Sequence, residues 1–163
     1  MLVLGIDPGL ATTGYGLVEE RGQDLSLVDF GVLETPANLP LDRRLQQLYH
    51  DLCSLVAGFE IESVAVEDLF FSRNARTAMV VGQARGVILL AAAEARLPVF
   101  SYTPLQVKSA VVGYGQATKS QVQEMVRVLC AMESIPRPDD AADAIAIAIC
   151  HLHSARMVSL LSG

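Results

Sequence analysis

The run Leu2-Val3-Leu4-Gly5-Ile6-Asp7-Pro8-Gly9 decides the architecture. Its apolar and glycine positions read as a buried strand, and Pro8-Gly9 stops that strand in a turn. A carboxylate beside a buried strand is costly unless it is paired or binds metal. Asp7 is therefore either a turn-forming residue ahead of Pro8-Gly9 or a ligand.

From this strand the chain reads outward. Residues Gly14 to Glu20 and Leu25 to Glu34 form two further strands, and their short spacing around Gly22 predicts an antiparallel three-strand meander. Leu45, Leu48, Leu52, Leu55 and Val56 recur at helical spacing after Pro40-Leu41-Asp42 and predict an amphipathic helix to about Gly58. Ser63 to Glu67 returns as a short buried strand after this helical crossover.

A long helix is predicted over Asn74 to Arg96, a strand over Val99 to Tyr102, and a helix over Pro104 to Val112 that breaks at Gly113-Tyr114-Gly115. Ser120 to Met132 and Asp139 to Arg156 supply two final helices. The order predicts an α/β fold: a mixed five-stranded sheet, meander plus parallel strands, flanked by helices. No internal repeat or low-complexity tract interrupts it, and 163 residues suit a single domain, 1–163.

Composition narrows the function classes. A hydrophobic content of 52% with 18% charged residues describes a packed globular chain. The most apolar segment, Ala78 to Ala93, is broken by Gln83 and Arg85 and falls short of the roughly 20 residues that span a bilayer, so it reads as a buried helix and no membrane partner is expected. No export signal precedes the first strand, which predicts a cytoplasmic location. Cys53, Cys130 and Cys150 lack metal-ligand spacing and read as reduced thiols in apolar helices.

The net charge of −6 is unevenly spread. Residues 1–72 carry −9, residues 73–127 carry +5 and residues 128–163 carry −2. The positive middle block is compatible with a phosphate-rich partner once divalent cations offset the acids.

Three more acids stand out beside Asp7. Glu67 ends a buried strand, and strand alternation sends its neighbour Asp68 to the opposite face, so Glu67 is the preferred ligand and Asp68 a solvated loop acid. Asp140 and Asp143 lie on one face of the first turn of a helix that Asp139 is expected to cap; alone, such a pair is ordinary N-terminal helix chemistry. Combined, the four suit two divalent cations about 3.5 to 4 Å apart, an arrangement that activates a water and stabilises a leaving oxygen. His151 and His153, two apart on a helix, face different ways and read as cations at the helix C-terminus rather than ligands.

At these residues the chain resembles the RuvC-type Holliday junction resolvases, bacterial nucleases with an RNase H-like fold. The resemblance runs from Leu4-Gly5-Ile6-Asp7-Pro8-Gly9 through Gly14-Tyr15-Gly16 to His153. Its most specific stretches are Gly82-Gln83-Ala84-Arg85-Gly86, Gln106-Val107-Lys108, Lys119-Ser120-Gln121-Val122 and Asp140-Ala141-Ala142-Asp143-Ala144. It implies that Asp7, Glu67, Asp140 and Asp143 are catalytic metal ligands, with two Mg²⁺ or Mn²⁺ ions as cofactor. It further implies a homodimer that nicks a four-way DNA junction symmetrically in strands of like polarity, and RuvA and RuvB as branch-migration partners.

Lys108 and Lys119 are the chain's lysines and fall where the resemblance expects DNA contacts; Arg73 and Arg76 begin the long helix as further phosphate contacts. Of the adjacent Phe70 and Phe71, Phe70 matches the family position and is expected to stack on or wedge an unpaired base. Gly82, Ala84 and Gly86 permit close approach of another helix, either as a dimer seam or as tight packing on the sheet. Two rivals remain at this stage. One is an ATP-binding domain of the actin and sugar-kinase type, suggested by the strand-Asp-Gly turn; the other is a junction-binding dimer without catalysis.

Overall fold

The computed structural model describes residues 1–68 and 74–162. Residues 69–73, which hold the expected DNA contacts Phe70 and Arg73, and residue 163 lie outside the described residues.

Strands β1 (Leu2–Asp7), β2 (Thr12–Arg21) and β3 (Asp24–Glu34) form the antiparallel meander; β4 (Ser63–Glu67) and β5 (Val99–Tyr102) add to it in parallel. The sheet has five strands in the order β3-β2-β1-β4-β5. Both parallel connections carry a helix: α1 (Leu41–Ala57) and α2 (Ala75–Glu94). Helices α3 (Pro104–Val112), α4 (Lys119–Leu129) and α5 (Asp139–Ser162) complete the fold. This is the expected α/β layout.

Strand alternation distributes the core over two faces. Leu4, Ile6, Leu17, Val64 and Val66 pack with Leu48 and Leu52 of α1 and Ala84 and Ile88 of α2. Val3, Val18 and Ala65 pack with Ile145, Ala146 and Ile149 of α5 and with Val107, Val122 and Val126 of α3 and α4. Odd positions of β1 thus face α5, and Asp7 is one of them.

Helix α5 lies unusually close to the sheet because the strands beneath it carry glycines. A Cβ at Gly5 would overlap the Ala144 carbonyl, and a Cβ at Gly14 would overlap the carbonyl of Asp140. Gly14 is the register partner of Asp7 across the β1–β2 ladder. The clearance beside Asp7 therefore sets where the first turn of α5 rests.

Local signals explain the helix starts. Thr103 with Gln106, and Thr118 with Gln121, form reciprocal capping boxes at α3 and α4, and Gly113 ends α3 in a left-handed conformation with φ 101°.

Several expectations are corrected. Helix α2 is not buried all round: Ala84, Ile88, Ala91 and Ala92 are buried, while Met79 and Leu90 stand 61% and 52% exposed. By length and composition α2 and α5 could each cross a bilayer; α5 is instead the central core helix, with half of its most apolar window buried.

Asp139 does not cap α5 with its side chain. The Pro138 carbonyl takes the first backbone bonds, and the Asp139 carboxylate accepts from Arg137 and Gln123. Helix α5 continues past Arg156 to Ser162, so His151 and His153 are not at its C-terminus. His151 is buried, bonded to the Tyr102 hydroxyl at 2.7 Å and stacked on Phe100, and burial lowers its pKa. His153 Nδ1 meets the Ala110 carbonyl at 2.9 Å. The cysteines are free thiols, and burial pushes Cys130 and Cys150 up to about 11.

Candidate active site

Strands β1 and β4 are parallel neighbours with Ile6 opposite Val66, so their C-terminal residues Asp7 and Glu67 stand side by side. Both share the parity of the α5-facing positions. Asp140 and Asp143, in the first turns of α5, descend onto the same strand ends. Asp7, Asp140 and Asp143 each bring a carboxylate oxygen to within 4.8 Å of the other two. Glu67, at the neighbouring strand end, is close enough for its charge to raise Asp7. The expected four carboxylates are thus gathered in one place.

The electrostatics are those of a crowded acid cluster. Burial, followed by the charges of Glu67, Asp143 and Asp140, pushes Asp7 up to about 8. Glu67 is raised by burial and by Asp143, with Asp7 and the charge of Lys119 working against the shift. Asp7 and Glu67 are thus both held above the usual carboxylate range, by burial first and by their acidic neighbours second. Asp143 is also raised by burial, opposed by Lys119.

Such a set of carboxylate oxygens is a hard-donor site, suited to Mg²⁺ or Mn²⁺ and not to soft metals. A carboxyl raised by burial and by its neighbours' charge is one that added positive charge would ionise.

Lys119 supplies some of that charge already. As the first residue of α4 it sits at the positive end of a helix dipole, an unfavourable place for a cation. Its ammonium donates to Asp143 Oδ2 at 3.2 Å and lies 3.6 Å from Asp139 Oδ2. Burial works against its charge, but Asp143 and Asp139 outweigh it and hold Lys119 above its usual range. Lys108 has no ion pair among the described residues; with Lys119, Glu67 and Asp143 it lines one hollow of about 240 Å³. The two lysines and two of the acids therefore share a single concavity.

Arg76 is not in this hollow. It lies on the other face of the sheet, exposed at the start of α2, and lines a separate cleft with Arg44 of α1. Asp68 points away from the acid cluster, as alternation requires, and is not a solvated acid alone: Arg85 of α2 lies 3.5 Å from it.

Sequence reading missed three contributors. Gly14 reads as part of a strand and of the resemblance but not as a contact, although glycines on the same face of neighbouring strands, Gly5, Gly14 and Gly16, signal a helix in close contact. Asp139 holds Lys119 together with Arg137 and Gln123, a network without local spacing. Arg44 gave no signal beyond a helix-surface charge.

Comparison with known proteins agrees with this geometry. Residues 3–151 match the model of the family described as crossover junction endodeoxyribonuclease RuvC. A crossover junction endodeoxyribonuclease RuvC of Desulfitobacterium hafniense is 55% identical over 163 residues, covering 100% of this chain and 99% of the relative. The structure of Thermus thermophilus RuvC superposes with a TM-score of 0.89 at 39% identity, covering 96% of each chain. The same protein in complex with a Holliday junction substrate gives 0.89 at 38% identity, again over 96% of each chain. The RNase H-like architecture is that of these relatives.

Proposed function

The chain belongs to the RuvC family of crossover junction endodeoxyribonucleases, and from that premise we propose that it resolves four-way DNA junctions by paired, symmetrical nicks in strands of like polarity, in recombination and repair. The observation that carries this reading is the convergence of Asp7, Asp140 and Asp143 oxygens within 4.8 Å, with Glu67 on the strand end beside Asp7.

In this proposal Asp7, Glu67, Asp140 and Asp143 are the catalytic residues and hold two divalent cations, Mg²⁺ or Mn²⁺. When bound, such ions polarise the scissile phosphate and lower the pKa of an attacking water. The chain's own part begins with Asp7, whose carboxyl, raised by burial and by its acidic neighbours, would be ionised when cations sit beside it, its proton passing to solvent. Lys119 offsets the charge of Asp143 and, with Lys108, presents ammonium groups to the phosphates of a strand entering their hollow. The water oxygen bonds to phosphorus and loses a proton to solvent, the bond from phosphorus to the 3′-oxygen breaks and that oxygen takes a proton from solvent, and the products are a 5′-phosphate and a 3′-hydroxyl. No covalent enzyme intermediate is needed.

A homodimer would act on both strands at once. Met79, Gln83, Gly86, Leu90 and Ala93 follow one another at helical spacing along the exposed side of α2, and a Cβ at Gly86 would meet nothing within 4 Å. A glycine that costs helix stability with no neighbour among the described residues supports a second chain packing there. Family membership supports RuvA and RuvB as the proteins that deliver the junction, a single nuclease domain over 1–163, and work in the cytoplasm. Phe70, Arg73 and Arg76 remain proposed DNA contacts, Phe70 at an unpaired base.

The test is cleavage of a synthetic mobile four-way junction beside a linear duplex of matching sequence, with Mg²⁺, Mn²⁺ or EDTA. Paired symmetrical nicks on the junction alone, and only with metal, are expected. Equal cutting of the duplex would make this a general nuclease, and binding without cutting would make it a binding module.

A further inference from the structure

We propose that Arg44 and Arg76 form a phosphate seat for the DNA strand on the opposite side of the acid cluster from Lys108 and Lys119. The inference rests on the nuclease reading above and adds a second anchoring point to it.

Arg44 and Arg76 line one cleft of about 360 Å³ with Leu10, Ala11, Thr77, Val80 and Val81. Neither is ion-paired to an acid among the described residues, in a chain whose first 72 residues carry −9. Glu34 lines the adjoining hollow and makes no ion pair with either. Arg44 is also fixed in place: its Nε donates to Thr35 Oγ1 at 3.0 Å and its Nη2 to the Thr35 carbonyl at 3.4 Å. Thr35, itself buried, donates to the Leu10 carbonyl at 2.5 Å. Nη1 of Arg44 has no partner among the described residues, so a pre-oriented part of the fork is left for a ligand.

Position identifies the ligand. Leu10 follows Asp7 by three residues, so the cleft begins within about 11 Å of it, at most about three nucleotides along one strand. The lysine hollow is built by α3, α4 and α5 on one face of the sheet; the arginine cleft is built by α1 and α2 on the other. A phosphodiester strand crossing a clustered set of carboxylates is repelled unless cations hold it on both flanks. Two guanidinium forks over a largely apolar floor match phosphate in geometry and charge.

The experiment measures binding of the four-way junction in EDTA across a salt series, for the wild type, Arg44→Gln, Arg44→Lys and Arg76→Gln, with thermal unfolding as a folding check. Loss of one phosphate contact lowers the slope of log affinity against log salt by about 0.9, so the wild-type advantage over either glutamine variant shrinks by roughly 3.5-fold between about 50 and about 200 mM salt. Arg44→Lys should keep the wild-type slope. Arg76, exposed and without side-chain bonds among the described residues, keeps the test valid if Arg44→Gln does not fold. A folded glutamine variant with the wild-type slope overturns the seat while leaving the nuclease reading intact, as does stabilisation by inorganic phosphate lost in Arg44→Gln without any change in junction slope. A wild type that neither binds nor nicks the junction overturns the nuclease reading and the seat with it.

Discussion

The ammonium of Lys119, expected as a DNA contact, lies 3.2 Å from Asp143 Oδ2, inside the group of acids. It lowers the pKa of both Asp143 and Glu67. Replacing it with Met should raise both, so the pH at which nicking reaches half its maximum moves upward. Loss of one charge at such a site costs about 10²- to 10³-fold in rate. Single-turnover nicking across pH checks this; a slower enzyme with an unmoved profile would assign Lys119 to DNA contact alone.

Asp7→Asn, Glu67→Gln, Asp140→Asn and Asp143→Asn should each abolish nicking while junction affinity stays within a few fold. Binding in this reading rests on basic groups. Gel-shift and nicking assays on the same preparations separate the two, and any variant that cuts at the wild-type rate loses its assigned role.

Metal-free protein should lose stability as pH rises. Asp7 holds a proton when folded up to about 8, whereas an ordinary Asp releases it near 3.8. The folded state therefore binds more protons between those values, and stability falls across that window. Asp7→Asn should flatten the decline and melt higher than wild type at pH 8, by about 2–4 °C for each kcal/mol of repulsion relieved. Mg²⁺ or Mn²⁺ should restore the wild type and leave the variant nearly unmoved. A wild-type melting temperature that rises from pH 5 to 8 without metal would contradict this account.

Gly14→Ala should damage both fold and site. The added methyl meets the Asp140 carbonyl, a backbone atom that can yield only if the first turn of α5 lifts. Overpacking of this kind costs roughly 1–3 kcal/mol, and the lift carries Asp140 away from Asp7. Thermal melts and metal titration on the same variant should show both losses; a normal metal response would mean that α5 adjusts elsewhere.

Gly86→Ala offers a test whose sign depends on the dimer. In an isolated chain the change fills open space in a helix and should stabilise by about 1 kcal/mol. Against a partner helix it should weaken association instead. Sedimentation of the wild type and variant over a concentration series reads the difference, and stabilisation without any shift in assembly would remove this face of α2 from the dimer.

Much of this protein is local in origin. The parallel connections, the meander and the amphipathic α1 follow from residue periodicities of 2 and 3.6, which any window of the chain contains. Parity alone separated Glu67 from Asp68, and Asp68 lies 3.5 Å from Arg85 of α2. The carboxylates could be named because each ends or begins an element where an unpaired charge is hard to place.

What lies between elements was not legible. The distance from α5 to the sheet depends on three strand glycines that lie on one face only once the β1–β2 register is fixed. Lys119 belongs to the acid cluster because α4 starts beside α5, and Asp139 serves that lysine instead of its own helix terminus. His151 is a core residue because α5 runs on for several more residues. Arg44 matters only through Thr35 and a cleft shared with a residue of another helix. Sequence determined which groups are present and which element carries each; packing alone decided which of them meet, because contacts between elements are set by register and clearance, which no local pattern encodes.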